Sequence, residues 1–295
     1  MQAIHQSVLL AEVVDFLAPV DGGVYVDCNL GLGGHTEGIL AQCGPSGRVI
    51  GFDWDASALA LARQRLAPFG DRVHFVHQNF ASVRESLMEI GVQGIDGLLL
   101  DLGLSSLQLD DSGRGFSFKG SEPLDMRMDE RIGLTAAELI NRASEDDLAD
   151  IFYYYGEERQ ARRIAAWIVE ERKKDVIATT DQLVDIVYHA VPRRFHPKKI
   201  HVATKVFQAL RIAVNRELEN LKKVLEDGAA LLKPGAKFCV ISFHSLEDRM
   251  VKQAFRDNSS LRVLTAKPVL PGAEECQRNP RARSAKLRVA QAEGC

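Results

Sequence analysis

Three aspartates stand where a carboxylate can do chemistry. Asp27 closes the apolar run "VYVD", Asp53 closes "RVIGFD" and Asp101 closes "IDGLLLD". Nearly unbroken apolar runs of this length read as strands of a parallel sheet covered on both faces, and ligands bind such sheets at the carboxyl ends of their strands. Between the first two aspartates lies "DCNLGLGGHT", residues 27–36, with glycines at 31, 33 and 34 and a histidine at 35. A strand, a tight glycine turn and a helix together let backbone N–H groups approach a ligand closely. The turn is not the dinucleotide fingerprint. Thr36 occupies the place of the third glycine in G-x-G-x-x-G, and the GK[ST] of a phosphate-binding loop is absent. Asp53 is placed to accept both hydroxyls of an adenosine ribose, which serves NAD and S-adenosylmethionine equally. Asp27 is placed to hold the ammonium of an amino-acid moiety, which a dinucleotide lacks.

Further candidates follow the later strands. Phe80, in "NF" after the third strand, can pack an adenine ring or simply fill the core, and both readings stand. Asp101 points toward the reacting centre in this architecture. Met126 and Met128 read as packing residues, and Asp125, Asp129 and Glu130 as a solvated acidic loop, so no metal site is expected. His244 and Ser245 lack the G-x-S-x-G context of a hydrolase nucleophile.

The elements that must position these residues alternate. "SVLLAEVVDFL" predicts an amphipathic helix with Ser7 as its N-cap. Strands are expected at 24–29, 48–53, 72–78 and 95–103, with helices at 34–42, 56–66 and 82–90. That rhythm calls for right-handed parallel crossovers. Residues 104–131 lack any sustained period yet carry Leu104, Phe116, Phe118, Leu124, Met126 and Met128, which can anchor a long loop. From Thr135 the pattern is helical, without strands. A continuous helix is then expected from Val202 to Leu232, stopped by Pro234-Gly235, and "KFCVISF" resumes the sheet. Ser245 and Asp248 are spaced like a capping box for the next helix. "LRVLTA" and "AKLRVAQ" are candidate late strands. The expected division is a core from 1 to 114, a helical insert from 115 to 201, and the core again from 202 to 295.

Composition narrows the class. A chain of 295 residues with 46% hydrophobic and 26% charged residues has room for a core domain carrying a smaller one. Five scattered cysteines without a C-x-x-C pair argue for a reducing compartment and against structural zinc. There is no signal-peptide pattern and no apolar run of membrane-spanning length, so a cytoplasmic protein without membrane contact is expected. With a net charge of -3, any nucleic-acid footprint must be local. Two basic runs qualify: "VPRRFHPKKIHVATK" with Arg193, Arg194, Lys198 and Lys199, and "RNPRARSAKLR" with Arg281, Arg283 and Lys286.

The chain resembles the bacterial 16S ribosomal RNA (cytosine-N4)-methyltransferases, the RsmH or MraW family. The likeness rests on "HQSVLL" at 5–10, "DCNLGLGGHT" at 27–36, "DLGLSSLQLDDSGRGFSF" at 101–118, "PLDMRMD" at 123–129, "YGEE" at 155–158, "KVFQALRIAVNRELE" at 205–219, "FHSLEDRMVK" at 243–252 and "NPRARSAKLR" at 279–288. These segments run in order through nearly the whole chain. The resemblance implies an α/β fold: a Rossmann-like class I S-adenosylmethionine-dependent methyltransferase with a parallel-rich sheet and an inserted all-helical domain. It implies methylation of the exocyclic N4 amine of a cytidine in the decoding region of 16S rRNA, within the small ribosomal subunit or a late precursor, with S-adenosyl-L-methionine as cofactor. The cofactor contacts it carries over fall on Gly33, Gly34, His35, Asp53, Phe80, Asp101 and Gln108, beside Asp27 and Gly31 from the residue reading. Leu32 and Asn29 depart from the commoner glycine and threonine. Asp101 is the leading candidate to accept a hydrogen bond from the amine, directly or through a neighbouring backbone carbonyl, and a role in binding the cofactor alone fits its assignment equally. The segment after the fourth strand, "DLGLS", lacks the prolines and aromatic of [DN]-P-P-[YF], so Phe116, Phe118 or His244 is left to pack on the base. A homodimer would lengthen the RNA surface. The rivals are a dinucleotide-dependent oxidoreductase, opposed by Thr36 and Asp27, and a non-catalytic RNA-binding assembly protein.

Overall fold

A computed structural model describes residues 7–104, 113–118, 120–131 and 133–294. The chain folds as two compact units, Met1–Ser105 with Leu218–Cys295, and Ser106–Glu217.

The first unit is built on a seven-stranded sheet in the order β3-β2-β1-β4-β5-β7-β6. Its strands are β1 Val24–Asp27, β2 Arg48–Phe52, β3 Val73–Val76, β4 Ile95–Asp101, β5 Leu232–Ser242, β6 Leu261–Val263 and β7 Lys286–Ala292. The first five run parallel, and β7 runs antiparallel between β5 and β6. Strand order reverses between β1 and β4, the position where open α/β sheets leave a crevice for a ligand.

The two-residue period of a strand sorts the apolar residues onto two faces. Val24, Val26, Ile50, Phe52, Leu98, Leu100, Phe238 and Val240 lie in one core. There they meet Leu87 of helix α4 (Val83–Glu89), Leu221 and Leu225 of α10 (Glu217–Leu231), and Val251 and Phe255 of α11 (Ser245–Asp257). Tyr25, Val49, Leu99, Cys239 and Ile241 point the other way, onto Val13 and Leu17 of α1 (Leu10–Leu17), Ile39 and Leu40 of α2 (Gly34–Gln42), and Leu59 and Leu66 of α3 (Ala56–Leu66). A sheet covered on both faces explains why its central strands read as unbroken apolar runs.

Three local expectations are corrected. Ser7 does not cap α1: the N-cap is Leu9, at a left-handed φ of 54°, and its N–H donates to the Glu275 carboxylate at 2.8 Å. The capping box of α11 is formed by His244 and Glu247 rather than by Ser245 and Asp248. Asp248 instead accepts from Arg288 at 2.6 Å and Lys286 at 3.1 Å. The helix before Pro234-Gly235 ends at Leu231, beside the expected Leu232, but the strand starts sooner than 237: Pro234 and Gly235 lie inside β5, where the register against β4 shifts between Ile95 and Gly97. Proline has no N–H to give the ladder, so an irregular start to the strand accommodates it.

The second unit is helical, with α5 (Ala136–Arg142), α6 (Glu145–Asp150), α7 (Ala161–Glu171), α8 (Thr180–Ala190) and α9 (Thr204–Asn215). Among its described residues the only strand-like pairing is an isolated bridge between Pro123 and Thr179. The helix expected from Val202 to Leu232 is broken at Arg216, which adopts φ 52°, ψ 41° and separates α9 from α10. The expected insert, 115–201, therefore lies within a larger helical unit that includes α9. The same unit holds a five-residue π turn, Ile151–Tyr155, and α9 bonds to carbonyls in it and just after it. Gln208 donates to the Tyr155 carbonyl at 3.1 Å, and Lys205 to that of Glu157 at 2.6 Å.

Asn215 closes α9 and ties down the loop before α5. Its amide donates to the Met126 carbonyl at 2.8 Å, and its carbonyl accepts from the Met128 N–H at 2.8 Å. Met126 and Met128 are buried, as packing residues should be, while Asp125 and Asp129 pair with Arg127 and Arg131. Asn215→Ala is expected to strand two buried backbone groups and to cost about 2 kcal/mol. Equilibrium urea unfolding checks this, and an unchanged midpoint would contradict it.

Candidate cofactor site at the ends of β1, β2 and β4

The loop after β1 is stitched to the strands on either side. Cys28 N–H donates to the Leu99 carbonyl at 2.9 Å and Leu30 N–H to that of Phe52 at 2.8 Å. The Asn29 side chain donates to the backbone carbonyl of Asp101 at 2.6 Å. Beyond it the chain needs left-handed conformations at Gly31 (φ 53°) and Gly33 (φ 80°). A Cβ on Gly33 would run into Leu66, whereas one on Gly31 would meet nothing closer than the Asn29 carbonyl at 4.0 Å. The glycine turn is thus packed from behind at Gly33 and open at Gly31. Gly34 starts α2 against the Ser7 hydroxyl, which leaves no room for a side chain.

Asp53 is buried, and both its oxygens accept backbone N–H groups, from Gly31 at 2.8 Å and Asp55 at 2.9 Å. Each carboxylate oxygen offers a second lone pair, so two hydroxyls can still be accepted. Burial pushes its carboxyl up to about 7, against the opposing pull of those two hydrogen bonds. Asp27 is more enclosed still, at 1% exposure. It accepts the Thr36 hydroxyl at 2.8 Å and the Asn29 N–H at 3.3 Å. Burial raises it to about 6, while His35 and Thr36 pull it down.

Asp101 differs from both. Its side chain keeps 22% exposure, and its carboxylate lies 3.6 Å from Nε2 of His35. His35 is 5% exposed, and neither ring nitrogen has a hydrogen-bond partner among the described residues. A buried imidazole with no such partner calls for an explanation in terms of this site.

Glycines 31, 33 and 34, His35 and the three aspartates therefore converge on one end of the sheet. Phe80 lies in the hydrophobic core at 4% exposure, 6.0 Å from the ring of Trp54, so the structure gives it a packing role. Gln108 lies outside the described residues. Of the candidates for stacking on a base, Phe118 is stacked on His201 at 4.7 Å, Phe116 lies under Arg114 at 5.5 Å, and His244 caps α11. In the sequence Thr36 reads only as a missing glycine. Its hydroxyl is the donor that fixes Asp27, and the signal available is a hydroxyl residue placed in the first turn of the helix after an aspartate.

The basic residues fall into two settings. Arg193, Arg194, Lys198 and Lys199 are exposed, and Arg194 lies over the ring of Phe195 at 4.8 Å. Arg283 is exposed and Arg281 partly so, but Lys286 is paired with Asp248. The carboxyl of Asp248, pushed up by burial, is drawn below its ordinary range by Arg288 and Lys286. Among the described residues no helix is long and apolar enough to cross a membrane.

A sequence model of the MraW methylase family matches residues 2–293. The chain belongs to the MraW methylase family. It is 59% identical over 290 residues to the ribosomal RNA small subunit methyltransferase H of Desulfotalea psychrophila, covering 98% of each chain. It is 54% identical to the protein of the same name from Cyanothece sp., covering 98% of this chain and 94% of that one, and 50% identical to that of Geotalea uraniireducens, covering 97% and 98%. The mostly parallel seven-stranded sheet is Rossmann-like, and the cofactor of this methylase is S-adenosyl-L-methionine. The residues present fit that group: lone pairs on Asp53 for a ribose, the open side of Gly31, and carboxylates facing an unpartnered imidazole for its charged end.

The raised carboxyls set a pH dependence. Asp27 and Asp53 ionise near 3.8 when unfolded but near 6 and 7 when folded, so the folded state holds protons that the unfolded state has lost. Their contribution is fully present below pH 3.8 and is lost as pH rises through about 7. In the ligand-free protein Asp27→Asn, which can keep contacts to both Asn29 and Thr36, is expected to flatten the acidic half of this decline. Urea midpoints measured from pH 4 to 8 test it.

Proposed function

We propose that this methyltransferase acts on the exocyclic N4 amine of a cytidine in the decoding region of 16S rRNA, in the small ribosomal subunit or a late precursor of it. The observation that carries the reading is Asp101, the one partly exposed carboxylate at the sheet's switch point, at the end of the strand beside the cofactor loop. Support for an rRNA substrate comes from the relatives' shared name, ribosomal RNA small subunit methyltransferase H. An rRNA substrate also implies a cytoplasmic place of work.

The amine of cytosine is a poor nucleophile because its lone pair is delocalised into the ring. When bound, S-adenosyl-L-methionine supplies an electrophilic methyl group. The protein's task is to hold and orient. Asp53 takes the ribose hydroxyls, and the glycine turn lets the backbone approach the methionyl portion. Asp27, closed in by Thr36 and Asn29, fixes the turn and contributes negative potential toward the ammonium. Asp101 accepts a hydrogen bond from N4–H and so turns the nitrogen lone pair toward the methyl carbon.

The helical unit carries the phosphate-binding track. Arg193, Arg194, Lys198 and Lys199 are solvent-exposed, and no Asp or Glu occurs from residue 186 to 216. Exposed Tyr188 and Phe195 stand in the same stretch, which suits a displaced or single-stranded base. On the sheet unit Arg281 and Arg283 offer a separate basic cluster, to which Lys286 adds less because Asp248 holds it.

Mass spectrometry of small subunits and late precursors incubated with enzyme and cofactor is expected to find N4-methylcytidine at one position. Binding without modification on either substrate would favour a non-catalytic assembly role. Asp53→Ala is expected to weaken S-adenosyl-L-methionine binding ~10–100-fold, the equivalent of a lost charged hydrogen-bond pair, as read by calorimetry. Replacing Arg193, Arg194, Lys198 and Lys199 with Ala is expected to leave that affinity unchanged. It should reduce the slope of log K against log salt for RNA by roughly 0.7 to 0.9 for each phosphate that is no longer neutralised.

A further inference from the structure

We infer that His35 is the proton depot of the methyl transfer, receiving through Asp101 the proton that the target amine gives up. The inference rests on the amine-methylating reading above. Its basis is the imidazole itself, 5% exposed, with neither nitrogen hydrogen-bonded among the described residues and Nε2 3.6 Å from the Asp101 carboxylate. That separation is just beyond hydrogen-bond length and within ion-pair range.

The charge balance of the reaction gives this imidazole a purpose. A nitrogen–carbon bond forms as the sulfur–carbon bond breaks, and the electron pair of the broken bond stays on sulfur. The site thereby loses the positive charge of the sulfonium, while N4 must release one proton. If that proton moves to Asp101 and on to His35, the positive charge that disappears from sulfur reappears on imidazolium a short distance away. Three carboxylates at one end of the sheet thus face one unit of positive charge before and after transfer. Histidine suits the role because it is the side chain whose proton affinity is matched to neutral pH.

The groups around His35 are consistent with such an exchange. Asp27 on β1 and Asp101 on β4 act on it from the sheet, and Asp53 beyond β2 couples to Asp27. On the helical side Arg65, whose guanidinium lies against Gly34, is occupied by Glu37 at 2.6 Å. Among the described residues the imidazole is the basic group placed to answer Asp101.

The test does not need RNA. With His35 as depot, binding the cationic methyl donor expels a proton from the imidazole, whereas binding S-adenosylhomocysteine, whose sulfur is neutral, leaves it in place. Calorimetry near pH 7 in two buffers of different ionisation enthalpy is expected to show more proton release for the donor than for S-adenosylhomocysteine. His35→Gln should abolish the difference while both ligands still bind. NMR titration of the wild-type imidazole reads the same quantity should the variant not fold, and the proton should leave His35 at lower pH in the donor complex. On RNA, His35→Gln should lower kcat by about tenfold or more and remove the limb of the pH profile that reports the imidazole. Equal proton linkage for the two ligands, or a difference that survives His35→Gln, would overturn the inference. Failure of cytidine methylation with the proton difference intact would instead overturn the substrate reading alone.

Discussion

Burying Asp27 and Asp53 at the ends of β1 and β2 carries a desolvation penalty that the surrounding chain must offset. An unmatched buried carboxylate costs several kcal/mol, on the order of what a whole domain has to spare. The matching donors come from the backbone of Asn29, Gly31 and Asp55 and from the Thr36 hydroxyl. The glycine turn has its shape for this reason: to deliver N–H groups to Asp53, Gly31 must take a conformation that L side chains rarely adopt. The match is incomplete, because both carboxyls remain well above their usual range. Under the proposed binding mode a ligand with hydroxyls and a positive charge completes the match, and cofactor affinity and ligand-free instability then share one cause.

The scaffold makes that arrangement possible by being ordinary elsewhere. Both faces of the sheet are packed with aliphatic and aromatic residues, in two cores that use alternate positions of the same strands. Polar groups are concentrated at the carboxyl ends, where three strands stop on aspartate or just before it. The antiparallel β7 adds the Asp248 ion pairs with Lys286 and Arg288 on the return of the chain. This converts part of an apparently cationic tail into internal structure.

Much of this is legible in the residues. The strands, the three aspartates and the cofactor turn are readable because apolar run length and glycine spacing are local signals. The helix–sheet alternation and its interruption are readable for the same reason. Cap identities and breaks are not. Leu9 as an N-cap depends on Glu275, far away in sequence, and the break at Arg216 lies beside Asn215, which binds a loop almost ninety residues earlier. Phe80 is ambiguous because a core ring and a ligand-packing ring carry the same sequence signature. Lys286 looks free because its partner, Asp248, has the spacing of a capping residue. That His35 meets no hydrogen-bond partner among the described residues cannot be read at all, since it is a property of three-dimensional neighbours.

The helical unit leaves the sheet unit just past the end of β4 and rejoins it at the start of α10. Its two tethers are therefore unequal. One descends from the strand that carries Asp101, whose backbone carbonyl is gripped by Asn29; the other passes through a left-handed residue into the opening of a helix. For anyone grafting a different helical module onto this scaffold, each junction brings its own tie: the first the Asn29 contact to Asp101, the second the Asn215 contacts and the Arg211–Glu217 ion pair. Lengthening or shortening the chain at the first junction disturbs the end of β4 and the loop after β1 together. A change at the second loosens the helical unit's own loop instead, so neither junction is a neutral place to cut.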